Sequence, residues 1–282
     1  DESFCNIYGG LFYYNRSIGD AGAVMSNGTT TINGGYFVNN SANFGGAVYS
    51  GTLLTSYVSF NNATFVYNWA NGSGGASYVH MGSADFNKCT FYGNSAIGNG
   101  GAVSMLSVGE VAIKDCIFTK NTANKSAAIG INGTSGGRFS LTSNKIYENE
   151  ATTAGGGINL EGTNSVKLQG AVQVFNNTAG GASSDIELKN QAIIEVVGYL
   201  YSSSATSYIG IKLASDYGNV PFTHGYTYYK NSIDPSKIFF SNNTNFPIVK
   251  SGDEAVLGTT GNKPTESCEW VLTSHKGEVI KT

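Results

Sequence analysis

The chain has 282 residues, of which 38 are Gly and only 4 Pro, with 12% charged residues and a formal net charge of −3. Collagen is excluded because Gly does not recur at every third position, and a coiled coil because Ala, Glu, Lys, Leu and Arg do not dominate. With 40% apolar residues, 17 Tyr and 15 Phe, the composition is that of a chain that folds.

No Lys or Arg run offers a face for nucleic acid or an anionic membrane, and no apolar stretch reaches the 18 residues of a spanning helix. The chain opens at Asp1 without a basic-then-apolar stretch. For a secreted protein, the expectation is that the leader has been removed.

An internal repeat dominates the first two thirds of the chain. A large apolar residue followed three positions later by Asn recurs at Phe12/Asn15, Phe37/Asn40, Phe65/Asn68, Phe91/Asn94, Phe118/Asn121, Ile146/Asn149 and Val174/Asn177, with 25 to 28 residues between successive Asn. Two residues beyond the Asn comes Ala, at Ala42, Ala70, Ala96, Ala123, Ala151 and Ala179. A Gly pair follows at Gly45-Gly46, Gly74-Gly75, Gly100-Gly101, Gly155-Gly156 and Gly180-Gly181. Five residues upstream of the Phe position sits another apolar residue, at Ile32, Phe60, Phe86, Ile113 and Leu141.

Each copy holds about three short stretches with period-two alternation and none with a helical stripe, which predicts strands and no helical repeat. Three strands and three corners in about 27 residues make one coil of a parallel β-helix, in which each strand pairs with its equivalent one coil later. The expected fold is therefore all-β: a right-handed parallel β-helix over residues 1–198, then a β-rich C-terminal cap and tail over 199–282. Strands are expected in the tail at 208–213, 222–229, 237–240 and 270–273, and the Asn and Gly-Gly landmarks end after Leu188.

The repeated residues then acquire structural roles. Phe37, Phe65, Phe91 and Phe118 stack as an inward apolar column. Asn40, Asn68, Asn94, Asn121, Asn149 and Asn177 form a ladder, since an amide both donates and accepts and Asn tolerates a left-handed corner. Gly-Gly suits a corner with positive φ and close passage of the next coil.

At these motifs the chain resembles the polymorphic outer-membrane protein repeat, with its GGA[ILV] and FxxN elements, here Gly45-Gly46-Ala47-Val48 with Phe65 to Asn68 and Gly100-Gly101-Ala102-Val103 with Phe91 to Asn94. The likeness covers roughly residues 12–188. Ile209-Gly210-Ile211 and Phe222-Thr223-His224-Gly225-Tyr226 are similar to steps that follow the last coil in microbial surface β-helix proteins. The resemblance implies a secreted or surface-displayed, non-enzymatic adhesin or structural protein.

Cys89 and Cys116 both lie two residues before the Phe position, where other coils carry Gly35, Ala63 and Asn144. They are read as a buried thiol stack or a strained disulfide between adjacent coils. Cys5 and Cys268, near opposite ends of the chain, are candidates for an intermolecular disulfide between molecules stacked end to end. Asn-X-Ser/Thr sequons at Asn15, Asn27, Asn39, Asn62, Asn71, Asn124, Asn132, Asn176 and Asn242 are candidate N-glycosylation sites.

Parallel β-helices also carry polysaccharide lyases and hydrolases, which need carboxylates gathered at one level. Asp85, Glu110, Asp115, Glu148, Glu150 and Glu161 are scattered in phase, while Asp185 and Glu187 alternate on one strand and read as a solvated face. His80, His224 and His275 have no ligand spacing, and Thr29-Thr30-Thr31 lacks the counterparts one coil away that an ice-binding array needs. The expected function is that of an extracellular adhesion or structural module without cofactor or metal. Its expected partners are a second copy, joined end to end into filaments, and a glycan or cell-surface protein; a carbohydrate-active enzyme is the alternative.

Overall fold

The structure is a computed structural model of the chain; it describes residues 3–51, 53–106, 109–132, 139–162, 164–201, 206–213, 220–229, 233–243, 246–258, 272–273 and 279–280. The fold is a parallel β-solenoid. One coil runs through four strands, shown by Thr29–Asn33 (face 1), Tyr36–Val38 (face 2), Ser41–Ala42 (face 3) and Val48–Ser50 (face 4). Face 1 is nine strands deep and face 3 seven. Three of the four are the expected strands. The fourth, the two-residue strand at the Ala position, arises because the residue before each ladder Asn is left-handed and breaks the run.

Register is set in columns. Ile7, Ile32, Phe60, Phe86, Ile113, Leu141, Leu168 and Val196 follow one another across face 1. Across face 2 the column runs Phe12, Phe37, Phe65, Phe91, Phe118, Ile146, Val174, Ile209 and Phe239. Phe37, Phe65, Phe91 and Phe118 are fully buried, and successive rings from Phe12 to Phe118 stack 4.5–4.8 Å apart. That spacing matches the ~4.8 Å between paired strands, so identical residues stack without rotamer strain. A one-residue slip would turn every one of these rings to solvent, which fixes the register.

The two glycines of each pair answer different demands. The first, as at Gly74, has φ +71°. The second, Gly75, has an ordinary φ, but a Cβ there would collide with the Gly101 carbonyl of the next coil. Ser126 takes the first position in the degenerate coil at φ 53°.

Parallel stacking continues past residue 198. Tyr208–Leu213 pairs through Ile209 with face 2 and through Ile211 to Leu213 with face 4, joining the two faces into one 16-stranded sheet. Thr223–His224 extends face 1 and Phe239–Ser241 extends face 2. Of the expected tail strands, 208–213 is present; 222–229 shortens to Thr223–His224 followed by a turn; 237–240 becomes a 3-10 turn (Pro235–Lys237) and the strand Phe239–Ser241; and Leu272–Thr273 pairs with Val279–Ile280. An antiparallel hairpin of Ile248–Ser251 and Glu254–Leu257 closes the end, putting Ile248, Ala255 and Leu257 into the core. No helix among the described residues is long and apolar enough to cross a membrane.

Candidate functional site

The Asn column is a continuous hydrogen-bond ladder. Each rung donates its backbone N–H and one Nδ2 hydrogen to Oδ1 of the next rung, from Asn15 to Asn40, Asn68, Asn94, Asn121, Asn149 and Asn177, at 2.8–3.0 Å. The other Nδ2 hydrogen reaches a carbonyl of the preceding coil: Asn68 to Phe37, Asn94 to Phe65, Asn121 to Phe91 and Asn149 to Phe118. Asn40 to Asn177 are at most 1% exposed. The ladder therefore satisfies backbone groups that have lost water. The left-handed residue is not the rung itself; it is the one before it, at Tyr14, Asn39, Tyr67, Gly93, Lys120, Glu148 and Asn176, with φ between 53° and 64°.

The ladder has a direction, and its two ends differ. Asn177 donates its N–H and Nδ2 to Asp185 Oδ1, both at 2.8 Å. Asp185 then donates its own N–H to Asn242 Oδ1 at 2.9 Å, while Asn242 Nδ2 donates back to Asp185 Oδ2 at 3.0 Å. The landmarks therefore do not end at Leu188: Asn242 lies three residues after Phe239 and carries the FxxN spacing once more. Gly210 makes room, since a Cβ there would collide with the Asp185 carboxylate. Burial raises the Asp185 pKa, against the lowering effect of its Asn177 and Asn242 donors.

Asp185 and Glu187 do not form a solvated face, because both are buried. Glu187 accepts from Lys189 at 2.8 Å, Lys212 at 3.3 Å, the Gly155 N–H at 3.0 Å and the Ser184 hydroxyl at 2.9 Å. Burial pushes its pKa up, but these donors outweigh it and hold the carboxylate at about 2. Both carboxylates are committed to structure. Among the described residues, no group of three or more His, Cys, Asp or Glu is placed to hold a metal.

Cys89 and Cys116 are free buried thiols. They act as shortened ladder rungs: the Cys89 N–H donates to Cys116 Sγ at 3.2 Å, the Cys116 N–H donates to Asn144 Oδ1 at 2.9 Å, and Cys116 Sγ donates to the Phe86 carbonyl at 3.3 Å. Burial pushes the Cys116 thiol up. Cys5 is an exposed free thiol, and Cys268 lies outside the described residues.

Of the sequons, Asn15, Asn27, Asn62, Asn71, Asn124 and Asn176 are exposed, Asn39 and Asn242 are half-buried, and the side chain of Asn132 lies outside what is described. Asn15 and Asn242 already spend their amides on the ladder.

The molecule's two ends are unequal. At the N-terminal end, the strands Phe4–Tyr8, Leu11–Tyr13 and Val24–Ser26 each have a strand neighbour on one side only among the described residues. Phe4, Tyr8, Leu11, Tyr13, Tyr14, Ile18 and Met25 are all more than half exposed there. The C-terminal end is closed by the hairpin and by the reversed Asn242 amide. No protein-family model, curated protein or solved structure matches the chain.

Proposed function

We propose that this chain is a non-catalytic, extracellular or surface-displayed solenoid that serves as an adhesion or structural module and self-associates end-on through its N-terminal coil. The observation that carries the reading is the inequality of the two ends. An unpaired strand edge bordered by exposed aromatic and aliphatic side chains is a template for further strand pairing, and sheets ordinarily blunt such edges with charge, proline or a cover. Among the described residues, the hairpin covers the C-terminal end and no segment pairs with the outer edge of the N-terminal strands.

The FxxN and GGA[ILV] likeness to polymorphic outer-membrane protein repeats supports the adhesive side of the reading. The structural commitment of Asp185 and Glu187 supports the non-catalytic side, because catalytic carboxylates must be open to substrate.

Sedimentation velocity over a concentration series, with negative-stain imaging of the same samples, tests the proposal. Association that grows with concentration and is abolished by Tyr8→Lys or Leu11→Lys is the expected result. Filaments indicate head-to-tail growth and closed dimers a two-fold contact between N-terminal ends. Dispersed single particles at every concentration would sink it.

A further inference from the structure

The junction between the last coil of face 1 and the cap holds a cleft of about 480 Å3. Its size is that of a small-ligand site. We propose that it binds a neutral pyranose unit of a glycan. This deepens the adhesive reading above by naming a ligand class and a place for it.

Three observations carry the inference. First, the cleft has two aromatic walls: Tyr228 and Tyr229 lie 5.0 Å apart at 80° to one another, and they are 80% and 38% exposed. Second, the other side is made of hydrogen-bonding groups. Glu195 and His224 are cross-strand partners on face 1, Asp253 and Thr227 also line the cleft, and among the described residues its lining contains no Lys or Arg. Third, the turn bearing the tyrosines is anchored. Glu254 accepts the Gly225 N–H at 2.7 Å, the Thr223 hydroxyl at 2.8 Å and the Tyr226 N–H at 3.2 Å, and the buried Tyr226 donates its hydroxyl to the Ile233 carbonyl at 2.7 Å.

The chemistry matches a pyranose. Such a ring has an apolar C–H face that packs on tyrosine and a rim of hydroxyl donors for which carboxylates are the natural acceptors. The acidic lining repels sugar acids by charge. An anchored turn spares the ligand the cost of ordering the backbone that carries the tyrosines.

The test uses the full chain and saturation-transfer NMR with titration of methyl β-glucoside, methyl β-galactoside, methyl α-mannoside and N-acetylglucosamine, with glucuronate and choline as charged comparators. Saturable binding of at least one neutral sugar is expected, weakened by about tenfold or more in Tyr229→Ala and Glu195→Gln. Tyr36→Ala, an exposed tyrosine on face 2, should bind as wild type. Glu195 is half-buried and accepts from the Ser165 hydroxyl at 2.6 Å, a bond that the amide oxygen of Glu195→Gln can keep, and an unchanged unfolding transition verifies that the fold is intact. Absence of binding by every neutral sugar, equal binding by Tyr229→Ala, or preference for choline or glucuronate would overturn the inference. Sedimentation reads the end-on association separately, so a protein that associates but binds no sugar sinks this inference alone.

Discussion

Asp185 and Asn242, 57 residues apart in sequence, exchange two hydrogen bonds: the Asp185 N–H donates to Asn242 Oδ1, and Asn242 Nδ2 donates to Asp185 Oδ2. A carboxylate has no hydrogen to pass onward, so the side-chain bond runs backwards and the ladder closes. Asp185→Asn recreates the Asn-on-Asn rung found elsewhere in the ladder, its N–H and Nδ2 both donating to Asn242 Oδ1, and we expect a loss of no more than about 1 kcal/mol. Asn242→Asp sets two carboxylates together and should cost about 2–3 kcal/mol. The double swap Asp185→Asn with Asn242→Asp restores ordinary ladder polarity and should recover most of the loss. Chemical denaturation of the three variants measures the coupling, and additive losses would refute the pairing.

Asn94 sits mid-ladder, where it accepts two bonds from Asn68 and donates to Asn121 and the Phe65 carbonyl. Asn94→Ala strands the buried Asn68 N–H and the Phe65 carbonyl, for an expected loss of about 3–5 kcal/mol by denaturant titration. Asn94→Asp keeps the acceptor but removes the donors, so its stability should improve as the pH falls and the carboxyl gains a proton.

Cys116 stands in a column that also contains Asn144. Cys116→Asn gives the Cys89 N–H a stronger acceptor and the Phe86 carbonyl a stronger donor. Its thermal midpoint should equal or exceed that of wild type, whereas Cys116→Ala should lose about 1–2 kcal/mol. Native protein should show one reactive thiol among Cys5, Cys89 and Cys116 when titrated with an aromatic disulfide reagent, and that thiol should be Cys5. Rapid labelling of Cys89 would contradict the buried thiol column.

Glu187 is held at about 2, below its ordinary 4.5, so folding favours its ionised form. Its contribution is complete above about pH 4.5 and disappears as the pH falls towards 2, a span worth about 3 kcal/mol. Asp185 acts in the opposite sense: its raised pKa means that its contribution is present at low pH and lost as the pH rises through its folded value. Glu187→Gln should therefore flatten the acid limb of the stability profile relative to wild type. An unchanged acid limb would show that the two lysines do not hold this carboxylate in the folded state.

The period, the inward Phe and Asn columns and the corner glycines were all legible from sequence, because a solenoid repeats one local environment and each coil restates the demand for the same side chain. The spacing of Cys89 and Cys116 likewise placed them in one column; whether they formed a bond depended on how their neighbours used the sulfur. Phe239 and Asn242 carry the same FxxN signal, yet no Gly-Gly or Ala landmark accompanies them, and they join the ladder only because the chain returns after a long excursion.

What the sequence determined by itself was the stacking of like on like at a fixed interval, since strand separation and side-chain alternation leave a 27-residue motif few alternatives. Only the tertiary structure decided how the stack ends. Asp185 becomes a rung eight residues after Asn177 by filling the space over Gly210, and the 248–257 hairpin covers the last coil. These are contacts between segments that share no repeat, and a pattern of recurrence is silent about places where recurrence stops.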